Sequence, residues 1–134
     1  MYERTEQEIV AGAARELAGI DEPWEELVAG VRAYLGTCED PRVARISLID
    51  APGVLGWAEW REIGDRHALG AVTAALTAAM DTGVLRRANV EQLAHLLLAA
   101  LAEAALLVAN AEHPTAARAE VEDTVIGLLS GLRA

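Results

Sequence analysis

Two indoles and an imidazole stand at helical spacing in the middle of this chain. Trp57, Trp60 and His67 fall on one helix face, with Gly64, Ala68, Ala71, Ala75 and Ala78 beside them. Large rings next to missing bulk can wall an apolar pocket for a flat ligand with one polar group. The same pattern also describes a core filled by two indoles, and both readings stand at this point. Tyr34, Leu48, Ala99 and Glu103 are further candidate contacts, Tyr34 because a buried hydroxyl needs a hydrogen-bond partner. Glu91 and His95 stand four apart and could present two metal ligands on one helix face, but no third ligand is evident. His95 therefore reads as a surface or interface residue, and no metal or cofactor is expected. Glu103 has two further readings besides a ligand anchor: a solvent-facing residue, or a partner for an arginine across a dimer.

Catalytic chemistry has little to rest on. The sequence contains no nucleophile beside a base, no glycine-rich phosphate loop and no metal triad. Asp65 and His67 are two apart and do not face each other on a helix. Cys38 lies on an apolar stripe and reads as an inert buried thiol. These residues point to binding, not turnover.

The element that must position them is the segment 89–110, which contains neither proline nor glycine. Asn89 can cap its first turn, with Gln92 three residues on to complete a capping box. From Leu93 to Ala109 the polar residues are His95 and Glu103 alone, so the helix must be covered on nearly every side. About 20 residues suffice to cross a bilayer, but the alanines are weakly apolar, Glu103 sits near the centre and the flanks lack lysine and aromatic anchors. A buried helix in a soluble protein is the expected reading. One short domain cannot wrap such a helix completely, so part of its cover is expected from a second copy.

The remaining chain reads as further helices. Residues 2–18 carry Tyr2, Ile9, Ala13 and Leu17 at near-helical spacing before Gly19. Pro23 opens a helix whose stripe is Trp24, Leu27, Val28, Val31, Tyr34, Leu35 and Cys38. Asp40 and Pro41 open another, carrying Val43, Ile46, Leu48 and Ile49. A long helix runs from about Gly56 to Asp81, ended by Gly83, and the last helix follows Pro114. Its Gly127, Ser130 and Gly131 allow close backbone approach. No strand signal or repeat interrupts this series.

Composition agrees. At 134 residues the chain is one domain, 1–134, and the absence of phenylalanine leaves a core of Ala, Leu and Val suited to close-packed helices. A net charge of −10 repels a phosphate backbone, so this chain alone is not expected to bind DNA. A single cysteine fits a reducing cytosol, and no signal peptide precedes the first helix.

The order of these elements, with IDAPGVLGWAEWREIGDRHALG followed by LAHLLLAALAEAALLVANAEHPTAARAEV, resembles the C-terminal half of the TetR family of bacterial transcriptional regulators. In that family an N-terminal helix-turn-helix domain reads an operator, while the C-terminal domain dimerises and binds a small effector. MYERTEQEIV resembles the helix that joins the two, so the chain is expected to be part of a longer protein whose DNA-binding domain it lacks. The resemblance implies an all-α bundle of about six helices, in which residues 89–110 and 114–132 form a four-helix bundle with their partner copies. Leu97, Leu101, Val121, Val125, Leu128 and Leu132 are the interface residues expected on that basis. Segments 23–38, 40–50 and 56–81 would surround the effector cavity with the inward side of the central helix.

The expected protein is thus a cytoplasmic homodimeric repressor domain for a small apolar or aromatic effector, neutral or cationic rather than anionic, with no membrane partner. The intact protein would bind operator DNA. The alternatives are a free-standing helical interaction module and, further off, a small-molecule enzyme.

Overall fold

Proline and glycine mark where the helices begin and end. The computed structural model describes residues 4, 7, 8, 11, 12, 15, 17–40, 42 and 56–134, excluding the side chains at 57, 60, 64, 65 and 67. Helix α1 spans Pro23–Cys38 and starts with its proline in the first turn, where a missing N–H costs nothing. Helix α2 spans Trp57–Asp81; Gly56 precedes it at φ 84 and Gly83 follows at φ 80, a left-handed backbone that suits glycine. Helix α3 spans Val90–Ala109, capped by Asn89, whose side chain accepts the Gln92 N–H at 3.0 Å. Helix α4 spans Pro114–Ser130. The helix expected over 40–50 lies outside the described residues except at Asp40 and Arg42, where the Arg42 N–H donates to Asp40 Oδ1 at 2.9 Å as a cap would.

Helix α3 is the centre of the bundle, packing against α1, α2 and α4. Its buried face carries Ala94, Leu98, Leu101, Ala104, Ala105 and Val108, spaced three and four apart. Against it α1 turns Leu27, Val31, Leu35 and Cys38, while the second half of α2 supplies Leu76, Ala79 and Met80. Alanines on facing helices, such as Ala79 and Ala94, let the backbones approach closely without cavities. By length and a mean hydropathy of 1.8, α3 is apolar enough to cross a membrane. Packing against three helices accounts for the apolar side that carries its buried stripe.

A short strap closes the far end. Leu85 and Arg133 form an isolated antiparallel bridge, with Arg86 N–H donating to the Leu132 carbonyl and Ala134 N–H to the Val84 carbonyl. The strap buries Leu85 and sets the Arg133 guanidinium over Trp24, 4.5 Å from the ring centroid. The end of α4 is thereby tied to the α2–α3 turn and to the start of α1. Helical periodicity carries no signal for this contact.

Gly70 offers a direct check on the exposed side of α2, because a Cβ there would meet nothing within 4 Å. Gly70→Ala is expected to raise stability by roughly 0.5–1 kcal/mol, through the lower entropy of the unfolded chain. The urea midpoint should rise with an unchanged denaturant slope.

Candidate functional site

The outward face of α3 is bare. Leu96 is 67% exposed and Leu107 55%, and Leu128 on the adjoining α4 is 65% exposed. At 3.6 residues per turn, Leu96, Glu103 and Leu107 fall within about 40° of arc, opposite the buried stripe. The exposed side of α4 beside them is built of small residues, Ala116, Thr124, Gly127 and Gly131, with Leu128 and Glu120. A Cβ on Gly127 would meet nothing within 4 Å, so the surface is open at that point. Three large exposed leucines on two neighbouring helices are more than the scattered apolar surface of an ordinary monomer. The all-round cover expected for the central helix is therefore incomplete within one chain, because three neighbours enclose three sides and leave the fourth.

Several interface residues expected from the sequence lie on the other side of these helices. Leu101 is 7% exposed and Val125 4%, both inside the protomer core with Val31, Leu35 and Leu129. Leu97, Val121 and Leu132 are partly buried against the same core. Leu128 alone of the six stands free. On a helix apolar all round, periodicity cannot tell the face that meets its own chain from the face that meets another.

The expected effector residues are also divided. Trp57 and Trp60 occupy the first turn of α2 and His67 its first half, but their side chains lie outside the described residues, and Leu48 lies outside them altogether. Tyr34 is half-buried and packs on Cys38 and Ala105 between α1 and α3. Ala99 and Glu103 are not brought to Tyr34: Glu103 is exposed on the outward stripe with Leu96 and Leu107, and Ala99 borders it. An open recess of about 540 Å³ lies elsewhere, along α1, lined by Ile20, Trp24, Glu25, Val28, Ala29 and Arg32. His95 is exposed, and no metal-binding group of three or more His, Cys, Asp or Glu is found among the described residues.

One polar cluster was not foreseen. Arg118 of α4 donates from Nη1 to Glu39 Oε2 at 3.0 Å and from Nε to Glu122 Oε2 at 3.1 Å. Arg32 of α1 adds a bond from Nε to Glu122 Oε1 at 3.0 Å. The four charges alternate in sign across the α1–α4 seam, and Gly36 makes room, since a Cβ there would sit 3.4 Å from the guanidinium. Burial works against the charge of Arg118, but the two carboxylates outweigh it and raise its pKa. Glu39 Oε1 is buried and accepts no hydrogen bond. The Arg118 to Glu122 spacing of four was legible in the sequence; the cross-helix half, Glu39 and Arg32, required the fold. The cluster holds helices in register and offers no group placed to react.

Comparison with known proteins follows from this geometry. Residues 24–132 match the family model described as Tetracyclin repressor-like, C-terminal domain. The fold is similar to that of a TetR-family transcriptional regulator from Pectobacterium atrosepticum, with a TM-score of 0.87 and 28% identity. That likeness covers 98% of this chain and 67% of the regulator's chain. Among curated proteins no match is found.

Proposed function

This chain belongs to the TetR family through its C-terminal domain, and from that premise we propose that it is the effector-binding and dimerisation part of a bacterial repressor. The observation that carries the reading is the uncovered apolar face of α3 and α4, marked by Leu96, Leu107 and Leu128. Two copies joined through it form a four-helix bundle, in which the leucines of one protomer pack against the small residues of the other. The partner is a second copy, and the protein is cytoplasmic. A charge of −10 disfavours DNA contact by this domain, so operator binding belongs to a separate domain of the intact regulator.

The effector site lies on the other side of α3, around the first half of α2, with Trp57, Trp60 and His67 as its walls. A ligand that favours one arrangement of α1 and α2 changes the equilibrium between states of the domain by its differential affinity alone. Arg118 couples that movement to the dimer, because its bond to Glu39, with the Arg32–Glu122 bond, joins α1 to α4. In the intact protein the resulting tilt of the first helix alters the spacing of two DNA-binding heads.

Titrating neutral and cationic flat aromatic compounds against tryptophan fluorescence is the test. A saturable change is expected, with a melting temperature that rises by mass action. Trp60→Ala should abolish binding and leave the dimer intact. Binding that survives in both Trp57→Ala and Trp60→Ala would make the indoles core residues and remove the pocket from this position.

A further inference from the structure

Glu103 sits where an apolar interface least tolerates it. It is exposed, lies on α3 between Leu96 and Leu107, and shares their stripe. The helices that form this face offer it no lysine and no free arginine, and their remaining basic groups are the exposed imidazoles of His95 and His113. Between residues 89 and 132 the sequence contains one arginine, Arg118, which faces the α1 seam and is engaged there by Glu39 and Glu122. The other exposed charges on α3, α4 and their connection are acidic: Glu91, Glu112, Glu120 and Asp123. At the end of the face Arg86 is engaged by the Gly131 carbonyl, and Arg133 lies over Trp24.

A two-fold interface duplicates whatever it contains. Joining two copies through this face takes two Glu103 carboxylates out of water and adds acidic groups on both sides, with no lysine or free arginine from either copy's α3 or α4 in return. The exposed leucines favour association, while each carboxylate opposes it.

We propose that Glu103 limits self-association, holding the dimer of this domain in reversible equilibrium with its monomer. The inference rests on the reading of the α3–α4 face as the dimer interface. Removal of the charge without change of shape therefore tightens the dimer, and added salt tightens the native protein more than the neutral variant.

Sedimentation equilibrium of the native chain, Glu103→Gln, Glu103→Leu and Leu128→Glu provides the test. The expected result is a dissociation constant at least about tenfold lower for both Glu103 variants, with Leu128→Glu monomeric. Protomer melting, followed at concentrations where the chain is monomeric, should be nearly unchanged, because Glu103 is exposed in the single chain. A Leu128→Glu monomer together with unchanged or weakened association in Glu103→Gln would overturn the inference and leave the interface standing, because Glu103 would then be accepting a hydrogen bond from the partner. Monomers throughout, in native and Glu103 proteins alike, would overturn both the interface and the limiter.

Discussion

Leu128→Glu is expected to weaken the dimer by a factor of about 100 or more, leaving monomers at micromolar concentration. Leu128 is 65% exposed in the protomer, so its value to a single chain is small, and the substitution should change protomer stability by no more than about 0.5 kcal/mol. In the proposed interface the same side chain would be enclosed. A carboxylate placed there would join Glu103 and Glu120, which carry its own sign, in a face without a free arginine. Light scattering should report half the mass of the native assembly, with the far-ultraviolet helical signal retained. A Leu128→Glu protein that still scatters as a dimer would place the interface on another surface.

Leu35→Ala should give the largest loss of protomer stability, about 3 kcal/mol. Leu35 is fully buried, in a cluster that joins α1 to α3 and α4 through Val31, Leu101, Ala104, Val125 and Leu129. The residues around it are already packed together and cannot close the space left by three carbons. Transfer and cavity terms therefore add. For a chain of this length the midpoint of thermal unfolding should fall by roughly 10 °C. Leu96→Ala provides the contrast: it removes the same atoms from an exposed site, so its cost should appear in the dimerisation constant and hardly at all in the protomer melt.

The boundaries of α1, α2, α3 and α4 were legible in the sequence because each rests on local chemistry. Pro23 and Pro114 start helices where no N–H partner is lost, Gly83 turns the chain through positive φ, and Asn89 caps its own helix. The family was legible for the same reason, since an ordered series of such segments survives as a pattern along the chain. The content of the interface was less so. Leu101, Val125 and Leu128 share the apolar character that periodicity detects, yet two are core and one is surface.

What the sequence determined by itself was the helical class, the helix ends, the acidic charge and the presence of one helix too apolar for a surface. Those properties depend on neighbours within a turn or two, or on composition alone. Tertiary structure decided which side of that helix is core. Three partners cover it, and the fourth side is left with Leu96, Glu103 and Leu107, an assignment that depends on where α1, α2 and α4 pack. It also decided that Arg118 meets Glu39, 79 residues away along the chain, and that Arg133 returns to lie over Trp24. Such contacts depend on the relative placement of helices. That placement is set by the close packing of many small side chains at once, and no local spacing records it.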